Sequence, residues 1–157
     1  MINITLPDGS VREYRAGVSA HEIALSISEG LARNVLSAEV NGEVWDSNRP
    51  ITTNSLVKLL TWNDEKGKGT MWHSSAHLMA EAIQEFYPDA KFAIGPSIEN
   101  GFYYDFDLPE KISEDDFPKI EAEMKRIIKE KEPFERFILD REEARKLCDD
   151  LDQDLKH

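Results

Sequence analysis

Two of the four histidines of this 157-residue chain, His73 and His77, lie four residues apart in the stretch "TMWHSSAHLMAEAIQEFYP". The apolar residues around them recur at helical spacing, and on a helix the positions i and i+4 lie one above the other, with Cβ atoms roughly 6 Å apart. The two imidazoles can therefore converge on one ion, one water molecule or one group of a substrate. The spacing alone is also compatible with two polar residues on a solvated face.

A zinc site is not supported by the surrounding residues. Zinc proteases with this spacing need a glutamate directly after the first histidine as general base, and that position is Ser74 here. A tetrahedral zinc site needs more ligands than two histidines. Cys148 and His157 occur later in the chain, but their separation does not match that of a pair of zinc ligands. We therefore predict that the chain holds no metal.

The context of the two histidines favours a cleft over a solvated face. Ser74 and Ser75 keep their surroundings small and polar, while the helix also carries an apolar face made of Trp72, Ala76, Met79, Ala80 and Ile83. The later run "GFYYDFDL" reads as a strand, so that Tyr103 and Tyr104 face opposite sides and one of them can line a pocket.

Composition limits the class of protein. A hydrophobic share of 40% with 32% charged residues predicts a folded chain, and no run is long enough to span a bilayer. The start "MINITLPDGS" is not a signal peptide, and the single cysteine, Cys148, suits a reducing compartment, so we expect a cytoplasmic protein with no membrane partner. The net charge of -12 argues against nonspecific binding of nucleic acid.

Residues 1–62 are expected to form an N-terminal β-grasp, or ubiquitin-like, domain. "INITL" and the residues after Asp8-Gly9 read as two strands joined by a tight turn. Ser19 and Glu22 form a capping box for a helix that Gly30 ends. Three more short strands are predicted in "NVLSAEV", "EVWD" and "SLVKLLTW", which completes the order typical of this fold.

A second α+β domain, 71–157, is expected beyond a hinge at 63–70, where "NDEKGKGT" has two glycines and no periodicity. It should begin with a helix from Met71 to Tyr87, followed by strands in "KFAIG" and "GFYYDFDL". A long charged helix begins near Ser113, a strand is predicted in "FERFIL", and a last helix is capped by Asp140 with Glu143.

Several of these stretches together resemble the amino-terminal region of bacterial-type threonyl-tRNA synthetases. They are "ITLPDGS" at the start of the β-grasp domain, then "HSSAH", "AIGPSIENGFYYDFDL" and "REEARKL", in order and over essentially the whole chain. The resemblance implies a TGS domain at 1–62 followed by a truncated editing domain, which removes serine wrongly attached to threonine tRNA. The later Cys-xxx-His pair, the class II core and the anticodon-binding domain of such enzymes do not occur in these residues.

The resemblance also implies roles for particular residues. His73, His77 and Tyr104 match the proofreading site by position, and Lys156 matches its lysine, although "LDQDLK" departs from the usual "YK". We expect His73 to position water or transfer its proton, His77 to form the pocket wall, Tyr104 to bind substrate and Lys156 to stabilise developing negative charge. No cofactor is expected in this region. In the parent enzyme, the resemblance implies ATP and zinc in the catalytic core, threonine tRNA mischarged with serine as partner, and a homodimer formed through other domains.

Two other functions remain open from the sequence. In the first, the β-grasp domain is a noncatalytic module that binds RNA or protein and the second domain is a scaffold. In the second, the chain is a metal-dependent hydrolase related to the alanyl-tRNA proofreading proteins, which also use an HxxxH pair. Class II motifs in the full-length gene would favour the synthetase, and tightly bound zinc would favour the hydrolase.

Overall fold

A computed structural model describes residues 1–153 of the chain. The chain is α+β and divides into two compact units, Met1–Met71 and a second unit that begins at Trp72. None of the helices in the described residues is long and apolar enough to cross a bilayer.

The first unit is built on one mixed five-stranded sheet in the order β2-β1-β5-β3-β4. The strands are β1 (Ile2–Thr5), β2 (Val11–Tyr14), β3 (Ser37–Val40), β4 (Glu43–Asp46) and β5 (Ser55–Leu60). The two central strands, β1 and β5, run parallel, and the other pairs are antiparallel. This is the predicted β-grasp architecture, and all five predicted strands are present.

Two short helices cover this sheet instead of the single helix predicted up to Gly30. In α1 (Ala20–Ile27) the predicted capping box is present, since Ser19 and Glu22 bond each other's backbone N–H. Ser28 then adopts an extended backbone and its side chain accepts from the N–H of Leu31, which starts α2 (Glu29–Asn34). The core between sheet and helices is formed by Ile2, Ile4, Ala20, Ile23, Ala38, Val40, Ile51 and Val57.

The third helix, α3 (Glu65–Phe86), begins six residues before the predicted start at Met71. The prediction of an irregular hinge at 63–70 is therefore wrong for the residues from Glu65 onward. Tertiary contacts override the two glycines: Lys66 forms an ion pair with Glu39, and Gly67 lies against the backbone of Thr61, where a side chain would not fit. The helix belongs to the first unit up to Met71 and to the second unit from Trp72.

The part of the second unit that the structure describes contains four two-residue strands and two further α-helices. The strands are β6 (Lys91–Phe92), β7 (Ser97–Ile98), β8 (Gly101–Phe102) and β9 (Phe106–Asp107). β6 pairs with β9, and β7 pairs with β8. The predicted strand "GFYYDFDL" is thus divided, although Asp105 still exchanges backbone hydrogen bonds with Ala93 and Ile94.

The helices α4 (Phe117–Glu130) and α5 (Arg141–Asp150) occupy the predicted positions, α4 following a 3-10 turn at Glu114–Asp116 and α5 carrying the predicted Asp140–Glu143 capping box. The predicted strand "FERFIL" is wrong: residues 132–139 form no helix or strand. Phe134 and Phe137 are 73% and 67% exposed. A strand needs a hydrogen-bonded neighbour, and no strand of the described residues lies beside this one.

Candidate active site

His73 and His77 are exposed residues of α3, beside the residues that hold this helix in the second unit. Ala76, Ala80 and Ile83 are buried on the adjoining side of the helix, where Ala80 and Ile83 pack with Phe92 and Ile120. At 3.6 residues per turn, Ala80 projects within about 20° of His73 around the helix axis, so both imidazoles lie at the edge of the buried stripe. The helix backbone fixes the two histidines relative to each other.

The two imidazole rings contact each other directly. Their Nε2 atoms are 3.1 Å apart, and the ring centroids are 4.6 Å apart with the planes almost perpendicular, at 84°. At that distance one Nε2 carries a proton and donates, while the other accepts. One ring thus fixes the orientation of the other, which is the arrangement needed for a group that accepts or passes on a proton.

Both histidines line an open cavity of about 460 Å³ within the second unit. Its other lining residues are Ala93, Ile94, Gly95, Pro96, Ser97 and Tyr104. The predicted residues His73, His77 and Tyr104 therefore come together at one place, although Tyr104 is 27 positions from His77 in the sequence. The volume is at the lower end of what a small-molecule site requires and suits a small polar group.

Tyr104 is held in the cavity wall by other aromatic rings. Its ring meets that of Phe92 edge-on, with centroids 5.6 Å apart at 79°, and that of Phe106 at 6.4 Å and 50°. Such tilted aromatic pairs are favourable beyond the area that they bury. Tyr103 points elsewhere and is 49% exposed. Tyr104, which the family resemblance selects, is thus the tyrosine that lines the cavity.

The backbone from Ala93 to Ser97 forms the wall that sequence reasoning missed. The N–H of Ala93 donates to the carbonyl of Asp105 over 2.9 Å, and the N–H of Asp105 donates to the carbonyl of Ile94 over 2.7 Å. These bonds hold the wall beside the segment that carries Tyr104. The only local signal was the dipeptide Gly95-Pro96, which marks a turn but gives no indication of a site.

Lys156, the remaining predicted site residue, lies outside the described residues. Nothing in residues 1–153 brings together three or more histidine, cysteine, aspartate or glutamate side chains that could hold a metal ion. Cys148 is half-buried on α5. The cavity therefore offers an imidazole pair, a tyrosine and a backbone wall, which together can position water beside a bound acyl group.

Comparison with known proteins relates both units to one family. The TGS domain model matches residues 2–61, which are the five-stranded sheet and its two helices. The threonine-tRNA ligase of Rhodopirellula baltica is 56% identical over 99% of this chain, and that of Cytophaga hutchinsonii is 57% identical over 92% of it. The threonine-tRNA ligase of Acetivibrio thermocellus is 53% identical over 99% of the chain.

The chain spans about a quarter of the length of these relatives: 22% of the first two and 25% of the third. The high identity extends through the second unit, beyond the residues that the TGS domain model matches. Over nearly its whole length, the chain is therefore similar to the amino-terminal region of threonine-tRNA ligases.

Proposed function

We propose that the second unit proofreads threonine tRNA by hydrolysing the ester that joins serine to its 3′ end. The observation that carries this proposal is the convergence of His73, His77 and Tyr104 on one cavity. The relatives are threonine-tRNA ligases by name, and their activity supports an ester of threonine tRNA as the substrate class.

A threonine-tRNA ligase needs such a site because serine differs from threonine by one methyl group. A missing methyl reduces binding by only about 1–3 kcal/mol, which gives a discrimination of roughly 10–200-fold. A synthetic site that accepts threonine therefore also accepts some serine. A second, smaller site that hydrolyses the seryl ester and excludes the extra methyl group supplies the remaining accuracy.

In the proposed reaction, water attacks the carbonyl carbon of the seryl ester and the bond to the ribose oxygen breaks. His73, oriented by the 3.1 Å contact with His77, positions this water and accepts its proton, which returns to the departing ribose oxygen. Tyr104 and the backbone at Ala93–Ser97 hold the substrate between them. The products are serine and threonine tRNA.

We assign to Lys156 the stabilisation of the negative charge that develops on the carbonyl oxygen. For the whole enzyme we propose the attachment of threonine to its tRNA with ATP, a zinc ion in the catalytic core, and a cytoplasmic homodimer. The charge of -12 is compatible with tRNA binding only if basic surfaces elsewhere in the enzyme supply most of the affinity.

The proposal is tested with the full-length enzyme that contains these residues. His73→Ala should slow the hydrolysis of seryl threonine tRNA by roughly 10²–10⁴-fold, because general acid-base assistance contributes about that much. Activation of threonine with ATP, measured by pyrophosphate exchange, should stay within twofold of wild type, since the two reactions use different sites.

His21→Ala is the matched control, because His21 is an exposed histidine in the first unit, outside the cavity. Its deacylation rate should equal that of wild type. If His73→Ala hydrolyses the seryl ester as fast as the His21→Ala control, His73 has no part in the reaction. The noncatalytic binding module would then be the better explanation of this region.

A further inference from the structure

Gly95 lies in the wall of the cavity, at a point where the ring of Tyr104 packs directly against the backbone. A Cβ atom added at Gly95 would lie 2.3 Å from Cδ2, 2.6 Å from Cε2 and 2.8 Å from Cγ of this ring. Carbon atoms in contact are normally 3.5–4.0 Å apart, so the two groups cannot occupy these positions together. The ring of Tyr104 can occupy its position only because Gly95 has no side chain.

The ring of Tyr104 cannot move aside without disturbing its other neighbours. Three atoms of the Tyr104 ring are too close to the added carbon, and one of them is Cγ, where the ring joins the rest of the side chain. The whole ring would therefore have to shift. Phe92, which is buried, and Phe106 pack against the same ring. Closely packed interiors respond to an added carbon by moving side chains off their preferred positions.

The backbone of Gly95 gives no other reason for a glycine. Gly95 is not one of the described glycines with a positive φ angle, which are Gly9, Gly17, Gly42 and Gly101. Alanine can therefore adopt the same backbone conformation, and the substitution adds only volume. Gly95→Ala is thus a direct probe of where the ring of Tyr104 lies.

We infer that Gly95 is a positioning residue that sets the place of Tyr104, and with it the width of the cavity beside His73 and His77. This inference rests on the proposed proofreading function. The added methyl would move the ring by about 1 Å, and an error of that size in the placement of a substrate can cost roughly 10²-fold in rate. Gly95 thereby determines which acyl groups fit, although it supplies no reacting atom.

The test combines Gly95→Ala with Tyr104→Ala in the full-length enzyme. Gly95→Ala alone should lower kcat for the seryl ester by about 10²-fold, with threonine activation unchanged. In the Tyr104→Ala background, where the ring is absent, the same methyl should change the rate by less than threefold. Gly30→Ala is the matched control, because the nearest atom to a Cβ at Gly30 is 4.0 Å away, and it should leave the rate unchanged.

Nuclear magnetic resonance of the 157-residue chain gives a second readout that does not depend on activity. The Hα protons of Gly95 should show an upfield shift from the tyrosine ring that disappears in Tyr104→Ala. If Gly95→Ala does not fold, the double variant should fold, because the clash is gone.

The outcomes separate the two proposals. A rate for Gly95→Ala within twofold of wild type, an equal loss in both backgrounds, or a double variant that does not fold overturns the role of Gly95. An unaffected His73→Ala enzyme whose Gly95→Ala counterpart is slow refutes the catalytic histidine and leaves the Gly95–Tyr104 packing supported. Full activity in both variants refutes both.

Discussion

The side-chain amide of Gln153 forms two hydrogen bonds with the backbone of Ala90 and Phe92, as a neighbouring β-strand would. Its Oε1 accepts the N–H of Phe92 over 2.9 Å, and its Nε2 donates to the carbonyl of Ala90, also over 2.9 Å. Gln153 is only 8% exposed. Beside it, Lys91 forms an ion pair of 2.6 Å with Asp152. The chain after α5 is thus attached to β6, which leads directly into the cavity wall at Ala93.

Replacing Gln153 by leucine should destabilise the second unit by about 2–3 kcal/mol. Both hydrogen bonds are lost, and a buried backbone group without a partner costs about 1–3 kcal/mol. Urea denaturation measures this loss, and deuterium exchange at the amide of Phe92 should become faster. Gln84→Leu is the matched control, since Gln84 is exposed on α3 and a surface change of this kind costs at most about 0.5 kcal/mol. Equal stability of the two variants would contradict the assigned pairing.

Local patterns in the sequence account for most of the first unit. The capping box of Ser19 and Glu22 depends on residues three positions apart, and the alternation of Ile2 and Ile4 fixes the face of β1 that is buried. The hinge prediction failed because it used the glycines at 67 and 69 as breakers. Gly67 is instead required by the approach of Thr61, a contact that no local pattern reveals.

The candidate site also has features that the sequence predicts and features that only the structure shows. The placement of His73 and His77 on one helix face follows from their spacing alone. Strand alternation alone left Tyr103 and Tyr104 open, and the choice of Tyr104 came from the family resemblance. The rings that hold Tyr104 in place are visible only in the three-dimensional structure. The wall around Gly95 was missed because its contribution comes from backbone and from an absent side chain, for which the sequence carries no chemical signal.

Gly67→Ala should destabilise the first unit by about 3 kcal/mol. The added Cβ would lie 2.0 Å from the carbonyl oxygen and 2.9 Å from the carbonyl carbon of Thr61, and backbone atoms cannot move aside as a flexible side chain can. Gly30→Ala in α2 has open space and should instead stabilise the chain by about 0.5 kcal/mol. Urea denaturation of both variants measures the difference. A loss below about 0.5 kcal/mol for Gly67→Ala would mean that α3 does not pack on Thr61 and would restore the hinge.

Limited chymotrypsin digestion should cut the chain first after Phe134 or Phe137. Both rings are mostly exposed and lie in a stretch without helix or strand, which is where proteases bind most readily. Trp62 is also exposed, but it lies just before α3 begins at Glu65. Mass spectrometry of the first fragments identifies the site.

The double variant Phe134→Ala, Phe137→Ala is the control for this digestion, and its first cleavage should be several times slower. Early cleavage after Trp62 in the unmodified chain would show that the start of α3 opens readily. The hinge predicted at 63–70 would then describe the behaviour of these residues better than the continuous helix does.

Asp116 should make the stability of the second unit depend on pH in the acid range. The backbone N–H of Ser113 donates to its Oδ2 over 2.9 Å, and the ammonium group of Lys119 lies 3.0 Å from its Oδ1. These two interactions lower the pKa of Asp116 from 3.8 to about 2, and the hydrogen bond from Ser113 has the larger effect. The folded chain therefore prefers the charged carboxylate more strongly than the unfolded chain does.

Because the pKa is lower in the folded chain, the charge of Asp116 stabilises the fold fully above about pH 4, and this contribution is lost as the pH falls through about 2. Asp116→Asn keeps an oxygen that can accept from Ser113 but carries no charge. Thermal unfolding at pH 7 should therefore give a lower Tm for Asp116→Asn than for wild type, and the two values should converge between about pH 4 and pH 2. Asp115→Asn, at the exposed neighbouring position, should follow wild type over the same range. A Tm difference between wild type and Asp116→Asn that stays constant from pH 7 to pH 2 would show that the charge of Asp116 does not stabilise this end of α4.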